Sequence, residues 1–277
     1  MRDNDRDSSF NRPSSRGAPR SSKKPPLTRA TTTLFEYPSQ HYGEREQGSQ
    51  HYRGATPSWV IWQFLDLWTK EGDTIVDPFC GSGTTLDVCK DKNRRGLGFD
   101  IAPFREDIQR ADARDLPLLD ASVDGAFFDP PYANNLEYSD DEKCIGKTQA
   151  HDGSWHEAIH GVFEELYRVV KPGGYVAAYL CDILHQRKGR KAFYPLGADL
   201  TFIGRERFFI REHIAVVRKN KDLLKGNYHK AAQEQGFLLR GFNHLVIFER
   251  PKEDLQAGQK RGKRKQNRRR QKPKPQK

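Results

Sequence analysis

The tetrapeptide Asp129-Pro130-Pro131-Tyr132 gathers a carboxylate, a stiffened pair of carbonyls and an aromatic ring into four residues. That set suits one chemical difficulty. An exocyclic amine conjugated to a base ring is a poor nucleophile, because its lone pair is delocalised into the ring. A carboxylate and a backbone carbonyl that accept its two N–H bonds can draw the nitrogen toward sp³ and aim the lone pair. Asp129 and the carbonyl of Pro130 can do this, with Pro130 and Pro131 fixing the backbone. The Tyr132 ring offers a stacking face for a base taken out of its helix, a contact worth ~1–3 kcal/mol.

A second segment, Asp77-Pro78-Phe79-Cys80-Gly81-Ser82-Gly83-Thr84-Thr85, has the residues of a ligand-cradling turn. Gly81 and Gly83 let the backbone bend tightly and approach a bound molecule closely after a strand. A phosphate-binding loop would end in Gly-Lys-Ser/Thr, and a dinucleotide fingerprint would place a third glycine where Leu86 stands. Phosphate binding is therefore disfavoured.

The elements that must carry these residues alternate between helical and extended patterns, which predicts an α/β fold: a mostly parallel sheet with helices on both faces. Thr56-Pro57-Ser58 reads as an N-cap with proline at the first helical position, opening a helix over Trp59 to Thr69. Thr74–Asp77, Gly96–Asp100 and Gly125–Asp129 read as short apolar strands, each ending in aspartate, with a helix from about Thr84 to Lys92. Three carboxylates would then line the C-terminal edge of a parallel sheet, where such sheets bind ligands. Trp155 to Val170 is a further helix, stopped by Lys171-Pro172-Gly173-Gly174, and Tyr175–Leu180 a buried strand. Ile214–Arg218, a polar helix around Asn227–Gln235 and Asn243–Phe248 close the fold as an antiparallel C-terminal hairpin.

With these residues in place, the chain resembles the S-adenosylmethionine-dependent DNA amino-methyltransferases of the N6-adenine and N4-cytosine type. The glycine turn is similar to the family's motif I, Asp129–Tyr132 to its motif IV, and Thr56-Pro57-Ser58 to its motif X, in a gamma-like order. The resemblance implies a Rossmann-like class I methyltransferase fold over residues 31–250. It implies that Thr56, Ser58, Asp77, Phe79, Gly81, Gly83, Thr84 and Thr85 bind S-adenosylmethionine around its methionine part. By the same resemblance Asp100 accepts hydrogen bonds from the ribose hydroxyls and Asp112 faces the adenine amino group, while Asp129, Pro130, Pro131 and Tyr132 are catalytic. Aspartate at the first motif IV position points to adenine N6, with cytosine N4 the neighbouring possibility. The same chemistry serves base amines in RNA, and a non-catalytic nucleic-acid-binding protein that kept the fold is a third reading. No Pro-Cys occurs, which excludes covalent C5-cytosine methylation.

His156-Glu157-Ala158-Ile159-His160 competes as a zinc hydrolase signature. It opens the helix that feeds the next core strand and lacks an evident third ligand, so a solvated helix face is the expectation and no metal site is assigned. Cys80, Cys89, Cys144 and Cys181 are widely spaced, indicating neither disulfides nor a structural zinc cluster.

The 277 residues carry 48 Lys+Arg against 37 Asp+Glu, a net charge of +11. Residues 1–30 hold 8 basic and 3 acidic groups, and residues 251–277 hold 12 and 2. The span 31–250 is therefore slightly acidic, at 28 basic and 32 acidic groups. Both ends read as disordered basic tails that contact phosphates without reading sequence. Nucleic acid, DNA ahead of RNA, is the expected partner, with residues 133–154 and His185–Lys191 the loops available to meet the strand. No apolar run or leader-like start is present, so a cytoplasmic protein without membrane contact is expected, nucleoid-associated in a prokaryote if DNA is the substrate.

Overall fold

The structure, a computed structural model, describes residues 24–49, 51–52, 54–133, 138–187, 190–218, 223 and 225–252. The segments expected to be tails lie almost wholly outside these residues. Residues 24–30, assigned to the N-terminal tail from their composition, instead pack on the first helix. There Gln63 donates to Thr28 O at 2.6 Å and accepts from Ala30 N at 2.9 Å, so one buried carboxamide holds the strap in place.

Among the described residues five α-helices and ten strands follow one another along the chain. They are β1 (Leu34–Phe35), α1 (Ser58–Trp68), β2 (Thr74–Asp77), α2 (Thr84–Asp91), β3 (Arg95–Asp100), β4 (Ile108–Arg110) and β5 (Val123–Phe128). There follow α3 (Ser154–Val169), β6 (Val170–Leu180), β7 (Ile183–Arg187), β8 (Arg190–Tyr194), α4 (Leu196–Gly204), β9 (Phe209–Val217), α5 (Gly226–Gln235) and β10 (Phe242–Glu249). Eight strands form one sheet in the order β1-β9-β10-β6-β5-β2-β3-β4. From β4 to β6 all pairings are parallel, whereas β10 runs antiparallel to both β6 and β9. This is the expected mostly parallel, Rossmann-like sheet with an antiparallel C-terminal pair.

Alternation along the central strands places one apolar set on each face, as the two-residue period of a strand requires. Val76, Ala126, Phe128, Val176, Ala178, Val246 and Phe248 face a core completed by α3 and α4. Ile75, Phe127, Ala177, Tyr179, Leu245 and Ile247 face a second core completed by α1 and α2. The sheet is thus covered on both sides.

Three elements depart from the sequence expectation. Lys171–Gly174 does not stand between helix and strand as a break: α3 ends at Val169, β6 already starts at Val170 and the four residues bulge out of it, so the partner of Val123 is Val170 and that of Gly125 is Tyr175. Gly173 takes a left-handed φ of 82° and donates to Arg250 O, anchoring the bulge. Of the span His185–Lys191, residues 185–187 and 190–191 belong to the paired strands β7 and β8 rather than to a loop, and residues 188–189 lie outside the described residues. The last change is at α1, where Pro57 is the cap residue and no side chain caps the helix.

Strand order reverses at β2, which has β3 on one side and β5 on the other. A crevice opens at the carboxyl ends of strands at such a switch point. Asp77 ends β2, Asp100 ends β3, and Asp129 directly follows β5.

Candidate active site

The turn after β2 is built around the Asp77 carboxylate. Its Oδ1 accepts from Phe79 N at 2.9 Å and its Oδ2 from Thr85 Oγ1 at 2.5 Å, tying strand end to helix start. Gly81 and Gly83 have φ of 48° and 81°, a region that side-chain-bearing residues rarely adopt. A Cβ on Gly81 would come within 2.9 Å of the Tyr52 ring, and one on Gly83 within 2.6 Å of the Arg105 guanidinium. Asp100 closes the turn from β3, accepting from Gly81 N at 2.8 Å and from Ala102 N at 2.9 Å.

The loop before α1 folds over this turn. Gly48 N donates to Asp87 Oδ2 at 2.8 Å and Tyr42 OH to Asp91 Oδ2 at 2.7 Å, both on α2, which places Tyr52 against the glycines.

Asp129 is held by two hydroxyls: Thr56 Oγ1 donates to Oδ2 at 2.6 Å and Tyr132 OH to Oδ1 at 2.7 Å. The tetrapeptide is anchored from α3, whose Trp155 Nε1 donates to Pro131 O at 2.8 Å; Ala133 N donates to the same carbonyl at 3.0 Å. The engaged carbonyl is that of Pro131, whereas the chemistry above calls on its neighbour Pro130.

Three cavities meet at this carboxylate. One is lined by Phe79, Asp100, Ile101, Asp112, Tyr138 and Ile145 together with Asp129. A second, under the glycine turn, is lined by Thr56, Asp77, Gly81, Thr84 and Thr85, again with Asp129. The third is wide and aromatic, with Tyr37, Trp59, Tyr132, Tyr138 and Tyr179 around Asp129. One carboxylate therefore borders a slot carrying two further acids, a glycine cradle and an aromatic chamber.

Burial dominates the electrostatics. It pushes the carboxyls of Asp77 and Asp129 up to about 7, each raised further by a neighbouring acid and lowered in part by its hydroxyl donors. Asp100 is raised for the same reason, against three backbone N–H donors. At Asp112 burial also works upward, but Arg114 overrides it through Nε at 2.8 Å and Nη2 at 2.7 Å, and the carboxyl lies below the usual range.

Of the residues singled out from sequence, Asp77, Phe79, Gly81, Thr84, Thr85, Asp100, Asp112, Asp129, Pro131, Tyr132 and Thr56 line these three cavities. Gly83 shapes the turn as the left-handed N-cap of α2. Ser58 does not join them: it is fully buried and donates to Gln47 Oε1 at 2.8 Å. Thr56 reaches the site by a different route from the one its sequence suggests, because Asp129 draws its hydroxyl away from the helix end. Sequence reasoning missed Tyr37, Tyr52, Trp59, Tyr138 and Tyr179; the density of aromatics from Tyr37 to Trp59 was the available signal. The His-Glu-x-x-His pattern resolves as helix pinning, with His156 Nε2 2.9 Å from Asp199 of α4 and His160 Nε2 3.3 Å from Glu206. Among the described residues no group of His, Cys, Asp and Glu is arranged to hold a metal ion.

The model of a family described as DNA methylase, of the N6/N4 methyltransferase type, matches residues 3–110, which include the glycine turn and Asp100. Over those residues the chain is similar to this family. Its cofactor is S-adenosylmethionine. The Type II methyltransferase M.HpaI of Haemophilus parainfluenzae is 46% identical over 94 residues, 34% of this chain and 27% of that protein. M.MjaII of Methanocaldococcus jannaschii, also a Type II methyltransferase, is 40% identical over 57 residues, 21% of this chain and 11% of that protein. The match thus spans about a quarter or less of these relatives. Among solved structures, TrmN of Thermus thermophilus aligns at 18% identity and a TM-score of 0.47, covering 72% of this chain and 50% of that one. The family match ends at residue 110, ahead of Asp129.

The donor set fits the cofactor. Among the described residues, neither Asp77 nor Asp129 pairs with a lysine or arginine, so two buried acids are left to balance a cationic ligand. The slot between Phe79, Ile101 and Ile145 adds apolar walls with Asp100 and Asp112 at its polar edge, the mix a nucleoside needs.

Proposed function

We propose that the chain transfers a methyl group from S-adenosylmethionine to an exocyclic amine of a base in DNA, adenine N6. The observation that carries this is the position of Asp129, which borders the nucleoside slot, the glycine cradle and the aromatic chamber at once. When bound, the cofactor supplies a methyl group on a positively charged sulfur.

In this reading Asp77, Gly81, Gly83, Thr84 and Thr85 hold the methionine part, while Asp100 and Asp112 hold the adenosine. Tyr132 and the aromatic walls receive a base rotated out of its stack, whose unpairing costs a few kcal/mol. Asp129 and the Pro130 carbonyl accept the two amine N–H bonds and fix the lone pair toward the methyl. The amine sheds one proton as it gains the methyl, and Asp129, with a pKa of about 7, can accept it and return it to solvent near neutrality. The basic terminal segments add salt-sensitive attraction for the phosphate backbone.

The test is to offer tritiated cofactor to single- and double-stranded DNA and to structured RNA. Label in DNA is the expected outcome. Label in RNA alone would transfer the same chemistry to another substrate, and label in neither would leave a cofactor-binding protein without this activity.

A further inference from the structure

The two hydroxyls that grip Asp129 stand on unequal footings. Thr56 is buried, and its position is fixed by the start of α1, where Ser58 N donates to Gln40 O at 3.1 Å. Tyr132 is half-buried and forms part of the wall of the aromatic chamber. An incoming amine must share the carboxylate with them, and only a donor on the chamber wall can give way without disturbing the core.

We propose that Thr56 is a positioning residue: it holds Oδ2 of Asp129 throughout turnover, so that Oδ1 alone exchanges the Tyr132 hydroxyl for the target amine. This rests on the methyl-transfer reading of the site. It gives the loop before α1 a task beyond covering the glycine turn, since a segment 73 residues upstream sets the angle of the catalytic carboxylate.

Charge supports the division of labour. Asp77 from β2 acts on Asp129, as do the two hydroxyl donors, and the carboxylate in turn acts on Tyr52 and Tyr138 from the loops and Tyr179 from β6. Arg218 lines the same chamber, but its Nη1 is 3.0 Å from Cys181 Sγ. The ionised form of Asp129 therefore depends on hydroxyl donors, and losing one moves its pKa upward by about one to two units. Only the ionised form accepts at both oxygens at once, from Thr56 at Oδ2 and from the amine at Oδ1, so activity falls as pH drops through that pKa.

Thr56→Val, Thr56→Ser and the wild-type chain are compared in three measurements: kcat against pH, cofactor affinity by calorimetry, and titration of carboxyl-¹³C aspartate by NMR without cofactor. For Thr56→Val we expect kcat reduced about 10- to 100-fold near pH 7 and an ascending limb displaced upward by about one to two pH units. The ¹³C titration should shift with it, cofactor affinity should stay within about threefold, and Thr56→Ser should restore all three. Thr56→Ala substitutes for the valine variant if the latter does not fold. An unmoved limb and an unmoved ¹³C titration would overturn the proposal, as would a loss of activity explained wholly by weaker cofactor binding. A wild-type chain that transfers no methyl would instead refute the underlying reading, while the NMR titration would still decide whether Thr56 controls Asp129.

Discussion

Asp129 carries a contradiction that only function explains: a carboxylate placed where ionisation costs stability. Its pKa, raised to about 7, means the folded state holds a proton that the unfolded chain releases near 3.8. The stability contributed by that proton is fully present below the unfolded value and is lost as pH rises through about 7. Asp129→Asn should therefore raise Tm at pH 8 by about 2–4 °C, for about 1 kcal/mol, and change it little at pH 5. Methyl transfer should fall at least about 10³-fold in the same variant, with cofactor affinity nearly intact by calorimetry. Asp100→Ala should do the reverse, weakening cofactor binding by about 10- to 100-fold, because the carboxylate that closes the glycine turn and lines the nucleoside slot is gone. Both carboxylates were legible in the sequence, because short apolar strands ending in aspartate place acids at a known edge of the sheet. The hydrogen bond from Thr56 to Asp129 was not, since threonine before proline has the local signature of a helix cap and nothing nearby in the chain reveals a partner 73 residues away.

At the scale of elements, two joints decide whether the site is in register. The first is the indole of Trp155, at the start of α3, which fixes the tetrapeptide through Pro131 O. Trp155→Phe keeps most of the packing and removes the donor, at a cost of about 1 kcal/mol in stability. We expect Tm to fall by about 2–4 °C and kcat to fall with cofactor affinity unchanged, measured by melting and calorimetry. The second joint is the glycine turn. Gly81→Ala would need a left-handed alanine and a displaced Tyr52 ring, so cofactor binding should weaken about tenfold or more. The sequence showed β2, β3, β5 and their helices because each is a locally consistent unit. It hid the β7–β8 hairpin, whose basic residues carry no apolar alternation, and it hid the bulge at Lys171–Gly174, where proline and glycine give the same local signal as a break.

For the whole molecule, charge and catalysis occupy different parts of the chain. The excess of +11 lies in the terminal segments, while residues 31–250 hold 28 basic and 32 acidic groups. Capture of a polyanion and choice of base should then be separable. Removing residues 253–277 should flatten the salt dependence of DNA binding, read as the slope of log affinity against log salt, and leave the modified base unchanged. The three cavities escaped sequence reasoning for a related reason: their aromatic walls come from segments that meet only once the sheet has formed, Tyr37 and Tyr52 before α1, Tyr138 after β5 and Tyr179 in β6. The central claim is that Asp129 joins a bound cofactor to a base amine. It is tested most directly by digesting DNA after incubation with the cofactor-loaded protein and identifying the nucleosides by mass spectrometry, for the wild-type chain and for Asp129→Asn at equal cofactor occupancy. The account predicts N6-methyladenine with the wild-type chain and none above background with the variant; methyl groups on ring carbon, or equal product from both proteins, would contradict it.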